Sequence, residues 1–225
     1  MIDKQTGKFD KSQNQKKSTY DRMSKWYDML VERFENKPRS QAVRKLDPQK
    51  GEKILEIGFG SGRSLCRIAD AIGPTGKVCG VDLSQGMFDI TRSRLSKAGL
   101  AVRVILIRDD VIQFPFEAGF FDAAFLSFTL ELFEDRDIPI VLSICLKALR
   151  PGGRICILAL SRSQRPKLGS RIYEWLHTMF PQFLDCRPIY IEKSLEEAGF
   201  QILGVESLSL GGIECKIVLG KKSID

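Results

Sequence analysis

The chain has a single histidine, two tryptophans and six cysteines among its 225 residues. No two cysteines form a CxxC pair, so the sequence offers neither the ligand spacing of a zinc site nor a disulfide framework. Four of them, Cys79, Cys145, Cys156 and Cys215, lie in apolar stretches and read as buried free thiols, which suits a reducing cytoplasm. No apolar run approaches the roughly 18–20 residues needed to span a bilayer. The first residues, MIDKQTGKFDKSQNQKKS, contain no hydrophobic signal segment, so secretion is not expected. Internal repeats are absent as well. What remains is ordinary for one globular domain: 43% apolar residues and enough chain to bury a full core.

The formal charge of +7 is unevenly spread. Residues 1–50 carry 13 Lys and Arg against 7 Asp and Glu, and the rest of the chain is nearly neutral. A basic amino-terminal segment suits an anionic membrane surface, nucleic acid or an acidic substrate, and equally a solvated tail. Within it, residues 1–17 are rich in Lys, Gln and Ser and are expected to be disordered. Residues 18–37 are expected to form a helix, because Tyr20, Met23, Tyr27, Leu30 and Phe34 recur at steps of three and four. With Trp26 beside this stripe, the half-wet aromatic surface suits either a helix packed on the domain or a mobile lid. Pro38 and the Asp47-Pro48 pair punctuate the passage into a main domain over 38–225.

From there strands and helices alternate. The run from Ile54 to Ile57 reads as a short buried strand, with a helix expected from Ser64 to Ile72. Further strands are expected from Lys77 to Val81, Val102 to Ile107, Phe121 to Phe128 and Arg154 to Leu160. Helices fall between them, from about Gln85 to Ala98 and from Ile138 to Leu149, the latter closed by Pro151-Gly152-Gly153. An aromatic helical stretch from about Gly169 to Phe180 and a helix from Ile191 to Ala198 precede two last strands, Phe200 to Ser207 and Ile213 to Leu219. Strands joined through helices argue for an α/β fold, a mainly parallel sheet with helices on both faces. The connection from Leu208 to Gly212 is too short for a crossover, so the last two strands pair antiparallel.

In such a sheet ligands gather at the carboxyl ends of the strands. The stretch ILEIGFGSGRSL at 54–65 puts Gly58, Gly60 and Gly62 in a strand-to-helix turn, where backbone N–H groups and the positive end of a helix meet a ligand. A dinucleotide, a nucleoside triphosphate or another adenosine-bearing ligand fits such a turn. The spacing is G-x-G-x-G, not the dinucleotide G-x-G-x-x-G, and no lysine follows Gly62 as a P-loop requires. The second strand ends in Val81-Asp82-Leu83-Ser84, a carboxylate 24 residues after Gly58 that can accept both protons of a ribose diol. The third ends in Arg108-Asp109-Asp110-Val111, a further carboxylate at the pocket rim that argues against a nicotinamide site.

The pieces ILEIGFGSG, GVDLSQGM, RDDVIQFPF, FFDAAFLSF and LRPGGRICIL, in that order, resemble the class I S-adenosylmethionine-dependent methyltransferases over about residues 40–220. With YDRMSKWYD near the start and GGIECKIVLGKK near the end, the chain looks like the ubiquinone/menaquinone-biosynthesis C-methyltransferases and their neighbours, the phospholipid N-methyltransferases. The resemblance implies a Rossmann-like, doubly wound, seven-stranded sheet in three α/β/α layers, mostly parallel with the last strand antiparallel. It implies S-adenosyl-L-methionine as cofactor, with Gly58, Gly60 and Gly62 facing its methionine part and adenosine. Glu56 would orient the loop or reach the methionine amine, and Asp82, with Leu83 beside it, would hold the ribose hydroxyls. Asp110 would accept from the adenine amino group while the Val111 amide meets the ring, and Ser127 would sit near the methionine moiety. Glu56 and Ser127 also fit a plainer role as loop braces. Tyr20 and Tyr27 would be lid residues over the cofactor.

Methyl transfer asks chiefly for an acceptor held in line with the sulfonium and for water to be kept out. A base is needed where the acceptor is an ammonium or a phenol. His177, in YEWLHTMF, is the candidate base, with Tyr27 the second catalytic candidate; a lone histidine there also reads as an amphipathic tip. The resemblance, the basic aromatic amino-terminal helix and an apolar cover that includes Trp175 point to a lipophilic acceptor. A quinone precursor and a phospholipid headgroup amine both fit, as does peripheral contact with a membrane through that helix. Arg187, in DCRPIY, departs from the quinone-methylating pattern and suits either a phosphate or a plain salt bridge. A soluble small metabolite is the alternative acceptor, and a non-catalytic cofactor-binding module a further one. Nucleic acid is not expected, because Leu126-Ser127-Phe128-Thr129 stands where amino-methylating enzymes of that kind carry Asn/Asp-Pro-Pro-aromatic. No metal is expected, and the oligomeric state is not legible.

Overall fold

The structure is a computed structural model that describes residues 35–161, 188–210 and 213–224. Residues from Pro38 onward belong to one unit. The tail at 1–17, the stripe from Tyr20 to Phe34, and the aromatic stretch with Trp175, His177, Cys186 and Arg187 lie outside the described residues.

Helix α1 covers residues 35–46, with Pro38 inside it. A proline removes its own N–H bond, but Ala42, Val43 and Leu46 beyond it are buried, and that packing holds the helix. Then follow β1 (Lys53–Ile57), α2 (Arg63–Ala71), β2 (Lys77–Asp82), α3 (Gln85–Lys97), β3 (Val104–Arg108), β4 (Phe121–Ser127), α4 (Ile138–Ala148) and β5 (Leu149–Leu160). The order closes with α5 (Ile191–Glu197), β6 (Phe200–Leu210) and β7 (Ile213–Lys222). The seven strands make one sheet in the order β3-β2-β1-β4-β5-β7-β6. Every pairing from β3 to β5 is parallel, whereas β7 runs antiparallel to both β5 and β6. The α/β fold is therefore a doubly wound, Rossmann-like sheet with its last strand reversed. Strand order changes direction between β1 and β4, which makes that crevice the ligand position.

Alternation along the strands separates two cores. Leu55, Ile57, Ala124, Leu126, Ile155 and Ile157 pack with Val141, Leu142 and Cys145 of α4 and with Ile191 and Leu195 of α5. Ile54, Ala123, Phe125, Cys156 and Leu158 face the other way, onto Ala42, Val43 and Leu46 of α1, Leu65 and Ile68 of α2 and Leu95 of α3. Several boundaries differ from the sequence-based expectation: β6 runs on to Leu210 and β7 to Lys222, and two further shifts have a visible cause. Val102 lies in a 3-10 turn, Ala101–Arg103, with 78% of its surface exposed, and β3 starts only where Val104 meets Val78. Strand β5 starts at Leu149, because a shift of register between Phe121 and Ala123 absorbs the Pro151-Gly152-Gly153 run within the strand. Burial pushes the Cys145 and Cys156 thiols up to about 12 and that of Cys79 to about 11, so none is poised to react. No helix among the described residues is long and apolar enough to cross a membrane.

One arginine joins α1 to the sheet at the amino end of the strands. Arg154 donates to both carboxylate oxygens of Glu52, at 2.7 Å each, and to the carbonyls of Leu46 at 2.6 Å and Asp47 at 2.8 Å. Both side chains are largely shielded, so this is a charge-assisted clasp and not a surface pair. Arg154→Ala leaves Glu52 and the last carbonyls of α1 without that partner and should cost about 2–4 kcal/mol in urea unfolding. A loss below about 0.5 kcal/mol would place the clasp among solvent-screened pairs.

Candidate cofactor and active site

Asp82 at the end of β2 organises the glycine turn that follows β1. One carboxylate oxygen accepts from the Gly60 N–H at 2.8 Å and the other from the Ser84 N–H at 2.9 Å. The turn is held from its other side by α3, where the Thr91 hydroxyl donates to the Gly60 carbonyl at 2.8 Å and Arg94 to that of Ser61. Strand β2 closes the set, because the Gly58 N–H donates to the Val81 carbonyl at 2.8 Å.

The three glycines serve different needs. A Cβ at Gly58 would lie 2.3 Å from Thr129, and one at Gly62 would lie 2.5 Å from Thr91, so at both positions the protein itself fills the space. Beyond a Cβ at Gly60 nothing stands within 4 Å, so this is where the turn is open to a ligand. With φ of +50°, Gly60 also adopts a conformation that few side chains tolerate.

Glu56 is fully buried, with both carboxylate oxygens lacking a hydrogen-bond partner among the described residues. Burial pushes its carboxyl up to about 8, Asp82 adds to the rise, and the positive charge of Arg39 opposes it. In the register of β1 it alternates with Leu55 and Ile57, so it lies on the α1–α3 face. Ser127, at the end of β4, is buried with its hydroxyl also unpartnered among the described residues. After β3, an Asp110 oxygen accepts from the Ile112 N–H at 3.0 Å, and Val111 is buried. Leu83 is 73% exposed beside Asp82.

Glu56, Gly58, Gly60, Asp82 and Ser127 thus meet at the carboxyl ends of β1, β2 and β4, with Leu83, Asp110 and Val111 at the ends of β2 and β3. Tyr20, Tyr27, Trp175, His177 and Arg187 lie outside the described residues. Sequence reasoning missed four contributors. Arg39, Thr91 and Arg94 act on backbone carbonyls, which leave no mark in a sequence. Glu131, buried after β4, accepts from the Leu160 N–H at 3.2 Å and ties the end of β4 to that of β5; a lone acid in an apolar stretch, LEL, was its only signal.

Comparison with known proteins agrees with this geometry. Residues 54–153 match a family described as a methyltransferase domain. A ubiquinone/menaquinone biosynthesis C-methyltransferase of Saccharophagus degradans is 32% identical over 116 residues, 52% of this chain and 46% of that protein. That alignment spans about half the length of the relative. A demethylmenaquinone methyltransferase of Staphylococcus aureus is 28% identical over 234 residues, covering 92% of each chain. Among solved structures, an S-adenosylmethionine-dependent methyltransferase from Aquifex aeolicus superposes with a TM-score of 0.62 at 19% identity, over 81% of this chain and 88% of that one.

Fold and family match agree: residues 54–153 resemble a methyltransferase domain, and the sheet that carries them has the fold of an S-adenosylmethionine-dependent methyltransferase. In sequence the chain is similar to the quinone-biosynthesis C-methyltransferases. The residues present fit the cofactor: Gly60 leaves room, Asp82 keeps lone pairs beyond its two backbone bonds, and the orphan Glu56 carboxyl suits a cationic amine.

Proposed function

We propose that the protein transfers a methyl group from S-adenosylmethionine to a lipophilic acceptor, of which a quinone precursor fits the relatives best. The observation that carries methyl transfer is the meeting of Glu56, the open side of Gly60 and Asp82 at neighbouring strand ends. The similarity over 92% of a demethylmenaquinone methyltransferase supports the acceptor class. When bound, the cofactor supplies a sulfonium methyl that is already electrophilic. The protein's task is then to hold and align. Asp82 holds the ribose diol, Asp110 accepts from the adenine amino group beside Val111, and Leu83 covers the base. A ring carbon accepts the methyl group once its neighbouring hydroxyl gives up a proton, and the proton on that carbon leaves afterwards. His177 is the candidate for the first proton, with Tyr27 second. Trp175 is the candidate to line the acceptor, and Arg187 would suit the phosphate of a phospholipid headgroup, were that the acceptor instead. The basic amino-terminal segment supports contact with an anionic membrane face.

The test is to incubate the protein with methyl-labelled S-adenosylmethionine and a total extract of its source cells, then partition the products. Label is expected in the organic layer, with quinone mobility. Phospholipid mobility would move the acceptor to a headgroup amine. Label confined to the aqueous layer would reject a lipophilic acceptor, with nuclease treatment separating metabolite from RNA.

A further inference from the structure

A strand at the edge of a sheet carries a row of N–H and C=O groups that its one neighbour does not use. Proteins guard such rows with basic side chains, proline, shortness or bulges. The two edges of this sheet differ in that respect. Strand β3 is five residues long, follows Arg103 and ends in Arg108, and the Lys77 amine donates to the Val102 carbonyl just before it at 2.7 Å. Strand β6 is eleven residues long, and its sequence, FQILGVESLSL, contains no lysine, arginine or proline. Leu203 and Val205 are 51% and 44% exposed along it. Its guard is the shift of register between Ile202 and Gly204, beyond which the strand pairs regularly to its end.

Two charges flank Val205, the middle residue of that strand. In the pairing with β7, Gly204 stands opposite Leu219 and Glu206 opposite Ile217, so both lie on the face that packs against α1. On this face the Lys45 amine, from α1, is 3.2 Å from where a Cβ on Gly204 would be. Glu206 follows two residues further on, and neither Lys45 nor Glu206 makes an ion pair among the described residues.

A second copy that pairs antiparallel with β6 about a twofold axis sets side chains of the same face opposite one another. The charges choose among the possible registers. An axis at Gly204 brings two Lys45 amines together, and an axis at Glu206 sets two carboxylates face to face; both repel. An axis at Val205 places Glu206 of each copy opposite Gly204 of the other, beside the other's Lys45, with Val205 against Val205.

We infer that the protein forms a twofold dimer by antiparallel pairing of β6 with β6 of a second copy, centred on Val205 and closed by two Lys45–Glu206 ion pairs between the copies. The same patch serves both copies, so assembly stops at two. Strands β4, β5 and β7 lie between β6 and the crevice at the switch point, so each copy keeps its own ligand site. The inference holds whatever the methyl acceptor.

Sedimentation equilibrium of the full chain, from about 1 to about 200 μM, tests it, with circular dichroism to check that each variant is folded. A dimer is expected within that range. Val205→Lys puts a charge on the exposed edge and should raise the dissociation constant at least about tenfold. Glu206→Lys and Lys45→Glu should each weaken the dimer by about tenfold. The two together should return it to within about threefold of wild type, because the pairs re-form with their signs exchanged. A wild type that stays monomeric at the highest concentration would leave the edge to a strand of another protein and overturn the inference. So would a dimer indifferent to Val205→Lys, a double reversal no better than the single ones, or assembly beyond two copies.

Discussion

Glu56→Gln is expected to be more stable than the wild type at pH 8, with the difference shrinking towards pH 5. The unfolded chain releases the Glu56 proton near 4.5, whereas in the folded protein burial holds it to about 8. Between those values the unfolded state binds fewer protons than the folded one, so the wild type loses stability as pH rises. Below 4.5 both states carry the proton and the residue makes no difference; above 8 the loss is complete. One pKa unit corresponds to about 1.4 kcal/mol, so the gap between variant and wild type at pH 8 is of the order of 3–5 kcal/mol. Urea unfolding of both proteins from pH 5 to pH 8 measures it. Parallel profiles would show that Glu56 ionises as freely in the fold as outside it. The same variant should bind S-adenosylmethionine more weakly, because an amide does not neutralise an ammonium. A buried acid that weakens the apoprotein is explained by what it holds.

Asp82→Asn should damage the site in a different way. Both carboxylate oxygens accept backbone N–H groups, from Gly60 and Ser84. An asparagine in that place turns its NH2 towards one of two donors, so one backbone bond is lost whichever way the amide points. The expected cost is about 1–3 kcal/mol of stability. Affinity for S-adenosylhomocysteine should fall by at least about tenfold, because the ribose diol loses its charged acceptor as well. Thr91 and Arg94 still hold the carbonyls of Gly60 and Ser61, so the turn should shift without unravelling. Calorimetry and the ligand-induced rise in melting temperature report the two effects separately. Unchanged affinity would mean that the ribose is held elsewhere.

Much of the site was legible because its residues sit where strands stop. A carboxylate after an apolar run, as in GVDLS or RDDV, is costly unless something uses it, and glycines at alternate positions mark a backbone that turns sharply. The fold class followed from the alternation of strand and helix. Pro38 stands inside α1, where the burial of Ala42, Val43 and Leu46 carries the helix past a local breaker. The place of β7 between β5 and β6 carried a signal that was left unused. Its Cys215, Ile217 and Val218 are all buried, as in an inner strand, while β6 alternates exposed residues such as Leu203 and Val205 with half-buried ones, as at an edge.

The Arg154 clasp sits at the opposite end of the sheet from the ligand residues. The loops at the carboxyl ends of the strands leave the sheet far from it, so a change in those loops does not disturb the joint that holds α1 in place.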